Sequence, residues 1–142
     1  MQKQLRLVSK YLFLFCIGGL LYMSIEILYR GYTHCSMGIL GGISFVSIGL
    51  INEILSWDTP LAIQALIGSI MITLYEFITG VILNIWLGLG IWDYSNLPFN
   101  ILGQICLPFS IIWYFLSIVG ICLDDFLRWK FFGEEKPRYK IF

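Results

Sequence analysis

Charge is what this sequence has least of. Only 13% of its residues are Asp, Glu, Lys or Arg, against about a quarter in an ordinary soluble domain. From Tyr11 to Ile25 there is none at all, and similar apolar runs fill most of the chain. Histidine occurs once, as His34. The cysteines Cys16, Cys35, Cys106 and Cys122 show no C-x-x-C spacing and read as small hydrophobic residues. His34 beside Cys35 has no second soft ligand at useful spacing, so no metal is expected. The motifs G-x-x-x-x-G-K-[ST], S-x-x-K and H-E-x-x-H are missing. The chain therefore has no P-loop with which to energise transport by itself. No cofactor is expected. A formal net charge of zero gives no reason to expect a nucleic-acid partner.

What is present is hydrophobic: 58% of all residues are hydrophobic and 17% of all residues are aromatic, with a mean hydropathy of +0.83. A helix needs about 20 mostly apolar residues to cross a hydrocarbon core of about 30 Å. Spans are predicted at about 11–29, 37–55, 61–84 and 101–123. The runs are too continuous for the alternation of barrel strands. The expected fold is all-α, an integral membrane four-helix bundle in one domain, with the lipid bilayer as its first partner. The basic start followed by an apolar run resembles a signal peptide. No small-x-small cleavage site ends that run, since Ile25 to Arg30 is a poor one, so it reads as a retained span.

Every basic residue except Arg30 lies near a terminus. An even number of spans puts both termini on one side, and the positive-inside rule makes that side cytoplasmic, in the plasma membrane. The turn Ser56–Pro60 then faces inward, and Pro60 suits the start of the third helix. Residues 124–142 mix Phe126, Trp129, Phe131 and Phe132 with basic residues and read as a cytoplasmic interfacial tail or simple anchor. Residues 85–91, with Gly88 and Gly90, suit a re-entrant segment before the last span.

An ionised side chain inside a span is costly and marks a site by default. Glu26 and Glu76 are such residues. Counted from the inner ends of their spans at 1.5 Å per residue, both stand about 22 Å up. Gln104, early in the fourth span, falls at a similar level. Glu26 and Arg30 are i, i+4 neighbours in the favourable order for an ion pair, and His34 extends that face if the helix continues. Ser69, Thr73, Glu76, Gly80 and Asn84 form one stripe at steps of three and four. Gly38 and Gly42 let another helix approach closely.

The stretch Trp92-Asp93-Tyr94-Ser95-Asn96-Leu97-Pro98-Phe99-Asn100 carries turn residues, with Asn100 placed to start the fourth helix. That helix would point its positive end at the carboxylates. Pro108 would then kink it and free the carbonyl of Gln104. Glu76, with no obvious Arg, is expected to be protonated or paired with His34. The candidate ligand-binding set is Glu26, Arg30, His34, Glu76, Asn84, Asp93, Tyr94, Asn100 and Gln104. No residue is assigned a catalytic role. Glu53 reads as snorkelling at the interface.

Several of these pieces, taken in order, carry a resemblance. Glu26 through His34 with Met37-Gly38-Ile39-Leu40-Gly41-Gly42, then Glu76-Phe77-Ile78-Thr79-Gly80 with Asn84, then Trp92-Asp93-Tyr94-Ser95 with Pro98, Asn100 and Gly103, resemble the ABC-transporter type IV family of small multi-span membrane proteins. A related group of animal transmembrane proteins looks similar. The resemblance covers roughly Ser24 to Trp113. It implies a multi-span membrane protein with a transport-related name and supplies no catalytic residues.

The first expectation is therefore a transporter- or permease-like subunit that holds a small polar solute or a lipid headgroup near the outer face. It could act as a homo-oligomer or beside a separate membrane or ATPase subunit. The alternatives are a structural or regulatory subunit of a membrane complex and an intramembrane lipid-modifying enzyme using Glu76 as acid or base.

Overall fold

A computed structural model describes residues 1–142. It contains α1 (Gln2–Arg30), α2 (Cys35–Gly49), a single turn α3 (Ile51–Ile54), α4 (Leu61–Gly80) and α5 (Leu107–Phe132). α4 continues as a π-helix over Val81–Trp86. There is no strand, only an isolated bridge between Ile101 and Ile105. Gln2–Arg30, Cys35–Ile54, Leu61–Trp86 and Leu107–Phe132 are each long and apolar enough to cross a membrane. The chain is thus the expected all-α four-helix bundle.

Local chemistry sets most of the helix ends. α1 stops at Gly31, whose φ of 80° lies in the left-handed region and turns its N–H back to the Ile27 carbonyl. His34 does not extend α1. Its extended backbone starts α2, and its ring accepts from the Ser36 N–H. Pro60 precedes α4. The fourth long helix starts at Leu107, later than the expected start near Ile101, with Pro108 in its first turn. The first turn has no intrahelical acceptor for its N–H groups, so a proline there breaks nothing. Pro108 therefore starts the helix and does not kink it. α5 also runs on to Phe132, beyond the expected end near Leu123, and Gly133 ends it with φ 66°.

Residues 134–142 are not helical. They fold back along the bundle end that carries both termini. The Leu61 and Ala62 N–H groups donate to the Lys140 and Ile141 carbonyls at 2.6 and 3.3 Å. The tail thereby satisfies two of the orphan donors that begin α4.

α1 packs chiefly on α2, α4 on α5, and α2 bridges the two pairs, while α1 barely touches α5. Lipid tails are as apolar as the side chains, so helix association here depends on close packing more than on hydrophobic burial. The α1–α2 seam shows it. A Cβ on Gly19 would stand 2.6 Å from the Gly38 carbonyl oxygen. Across the centre, Leu14, Phe45, Ile48, Ile72, Trp113 and Ile121 form one buried cluster. A smaller one joins Met37 and Leu40 to Ile91 and Trp92 of the loop before α5. Those two loop residues are buried, whereas Leu87–Gly90 are exposed. Val81–Trp86 complete the π-helix, and residues 87–92 form an irregular loop anchored by Ile91 and Trp92.

Candidate functional site

Glu76 projects from the last turns of α4 and is 1% exposed. Its Oε1 accepts from the Tyr94 hydroxyl at 2.8 Å. Its Oε2 accepts from the Trp113 indole N–H at 3.0 Å. Neither donor is charged, and Glu76 takes part in none of the ion pairs. His34 is exposed and bound to Ser36, so it is not the partner expected for Glu76. Each carboxylate oxygen thus has one neutral partner within hydrogen-bond distance. The partners come from the loop and from α5 because the stripe Ser69, Glu76, Gly80 faces inward and is buried. Ser69 and Thr73 on that stripe bond the Ser110 carbonyl and hydroxyl.

Glu26 and Arg30 form the expected pair, at 2.9 Å and with side chains only 14% and 19% exposed. The Thr33 hydroxyl also donates to Glu26, at 2.9 Å. The Arg30 guanidinium donates to the Ile91 carbonyl at 2.7 Å and lies over the Tyr32 ring at 4.5 Å. The Ile91 N–H donates to Asn84 Oδ1 at 2.7 Å. Asn84 Nδ2 donates to Gln104 Oε1 at 2.8 Å. One chain of polar contacts thus runs from α1 through the loop to the π-helical turn that carries Asn84. Such turns recur at functional positions. The Gln104 carbonyl, expected to be free, accepts from the Trp92 indole at 2.9 Å. Gln104 itself lies in the loop before α5.

Two members of the expected set shape the loop and do not face a cavity. Asp93 accepts from the Ser95 N–H at 2.9 Å and from the Ser95 hydroxyl. Those donors hold its carboxyl below the usual range. Asn100 does not start a helix. Its amide donates to the Ser95 and Leu97 carbonyls, and its oxygen accepts from the Gly103 N–H. Phe99 and Leu102 both sit at φ 53°, a left-handed conformation uncommon for such residues. Tyr94, from the same loop, does reach the site, and its burial pushes the hydroxyl pKa well up.

Between α1 and α5, where those helices scarcely meet, lies a pocket of about 210 Å³. Glu26 and Arg30 line it together with Tyr22, Tyr29, Trp92, Tyr94, Phe109 and Trp113. The rings touch one another. Tyr94 stacks on Phe109 at 4.6 Å, Tyr22 stacks on Trp113 at 5.7 Å, and Phe109 meets Trp113 at 6.5 Å. A second hollow shares Tyr22 and Trp113 with this pocket and reaches Glu76. Glu26 and Glu76 therefore flank one aromatic region without bonding each other. Tyr22, Phe109 and Trp113 were absent from the expected set. Tyr22 had a signal, standing four residues before Glu26 on one helical face. Phe109 and Trp113 had none that set them apart from other aromatics in apolar runs.

A second polar group closes the end bearing the termini. Asp124 and Arg128 are 0% and 1% exposed and pair at 2.7 Å. Arg128 also reaches Glu53 at 3.1 Å, so Glu53 does more than snorkel. Asn52 and Tyr139 both donate to Asp125, at 2.5 and 2.7 Å. Lys10 binds Glu134 at 2.5 Å, and the Trp57 indole donates to Glu135 at 3.2 Å. The i, i+4 spacing of Asp124 and Arg128 was the available signal. A further hollow of about 640 Å³ between α4 and α5 is walled mainly by apolar side chains such as Leu66, Phe77 and Phe115.

No curated protein and no solved structure matches the chain, and the likeness to animal transmembrane proteins finds no support there. The family model described as "Putative ABC-transporter type IV" matches residues 10–131. That segment contains the whole aromatic pocket, both glutamates that flank it and the Asp124–Arg128 pair, and the chain belongs to this family.

Proposed function

We propose that the protein is a transporter- or permease-like subunit of the plasma membrane. Both termini are cytoplasmic, and it binds an amphiphilic solute or a lipid headgroup between α1 and α5. The observation that carries this reading is the pocket of about 210 Å³, with an ion pair on one side and a buried glutamate behind its aromatic wall. A few convergent polar groups in a mostly apolar cavity are the usual makeup of a ligand site. An intramembrane carboxylate without a cation is costly when its only task is to specify a bundle. The clustering of Lys and Arg at both ends of the sequence supports the orientation. The chain has no P-loop, so ATP-driven transport would need a separate ATPase subunit.

The alternative is a structural or regulatory subunit whose glycine faces dock a partner; Gly38, Gly41 and Gly42 of α2 already pack on α1, which favours the binding reading.

Native mass spectrometry of protein released gently from membranes tests the proposal. The wild type should carry a reproducible added mass that is lost in Glu26→Gln and Glu76→Gln, with helicity unchanged by circular dichroism. A bare chain under every condition, or an adduct indifferent to both substitutions, would overturn it.

A further inference from the structure

The composition of the pocket wall points beyond the presence of a ligand to its charge. Six aromatic residues, Tyr22, Tyr29, Trp92, Tyr94, Phe109 and Trp113, account for half of the lining. Aromatic faces are negative and attract cations, most strongly where water is excluded. Two of these rings donate to Glu76 through their polar hydrogens. Donation toward a carboxylate polarises a hydrogen-bonded group, and here that enriches the rings.

The formal charges lean the same way. Arg30 is the only basic residue lining the pocket. Its charge is taken up by Glu26, by the Ile91 carbonyl and by the Tyr32 face. Glu76 is left without a cation of its own. A small metal ion is poorly served, because it needs several oxygen ligands and the wall is mainly carbon. An anion would find no net positive charge, since Glu26 balances Arg30 in the lining and Glu76 lies behind it.

We propose that the pocket selects an organic cation, a quaternary or tertiary ammonium group with an apolar body. The inference rests on the pocket being a binding site. The ammonium sits against the rings of Phe109, Tyr94 and Trp113, with Glu76 supplying the counter-charge from behind them. The same chemistry is offered by a free amphiphilic amine and by the choline headgroup of a lipid.

The test uses the full chain in nanodiscs of phosphatidylglycerol, with empty discs subtracted. Three probes of similar shape are compared: benzyltrimethylammonium, its uncharged carbon analogue neopentylbenzene, and benzenesulfonate. Saturable binding of benzyltrimethylammonium at least tenfold tighter than the other two is expected. Phe109→Leu keeps apolar volume but removes a ring, and should weaken that binding about tenfold. Glu76→Gln should do the same. Phe109→Leu serves as the decisive variant if Glu76→Gln fails to fold.

Replacing phosphatidylglycerol with phosphatidylcholine separates the two sources. Competition by phosphatidylcholine identifies the headgroup, and its absence identifies a free amine; both results support the ammonium proposal. Preference for the neutral or anionic probe overturns the cation proposal but leaves the pocket standing as a site. Binding of no probe, together with no adduct in the native spectra, overturns both.

Discussion

At the scale of single residues, Glu76 is a buried carboxyl held by two neutral groups. Its two oxygens depend on one hydrogen from the loop and one from α5. Removing either donor leaves a buried acceptor short of a partner, which costs about 1–3 kcal/mol. Tyr94→Phe and Trp113→Phe should each destabilise the bundle by that order, and the double variant should depart from additivity because both act on one carboxylate. Reversible unfolding in mixed micelles would measure it. Two silent single variants would mean that the hydrogen bonds add nothing to stability.

Glu76 was visible in the sequence as a charge inside an apolar run. Its partners were not. Periodicity tells which residues share a face of one helix, but Trp113 is far along the chain, and nothing local says which α5 face meets which α4 face. A close approach at the other end was equally hidden. A Cβ on Gly49 would fall 2.3 Å from the Asp124 carboxyl carbon, a contact that no local pattern announces.

At the scale of elements, the helices were legible because lipid demands length and continuity. The fourth was misplaced at its start for a physical reason. Pro98 and Asn100 suit a helix start and a turn equally, and here they build the turn. With the start moved to Leu107, Pro108 changes from a kink into a first-turn residue. The tail was harder still. Aromatic and basic residues in alternation suggest an interfacial surface, yet residues 134–142 are drawn back by Tyr139, Glu134 and Glu135. Deleting residues 134–142 should free the first N–H groups of α4. Hydrogen exchange at Leu61 and Ala62 should rise, while the pocket between α1 and α5 keeps its protection. Unchanged exchange at both residues would count against the tail as a cap.

At the scale of the whole molecule, the packing order explains where the cavity lies. α2 is committed to three neighbours, and α4 and α5 close on each other through Ser69, Thr73 and Ser110. α1 and α5 meet only loosely, and the pocket sits between them. The proposed orientation has its own check. Cys35 is exposed at the start of α2, opposite the end that holds the termini. A membrane-impermeant maleimide added to intact cells should label Cys35 when the other cysteines are replaced by Ala. Labelling only after permeabilisation would reverse the topology and put the pocket toward the cell interior.

The pairing of Leu61 and Ala62 with Lys140 and Ile141 also bears on biosynthesis. During translation α4 emerges long before its two acceptors exist. Its leading amides must stay hydrated while α5 is still being made and inserted. The latch can close only after α5 has crossed, so assembly of this end is post-insertional. A ribosome-stalled nascent chain halted after α5 would therefore display an inserted but unlatched bundle.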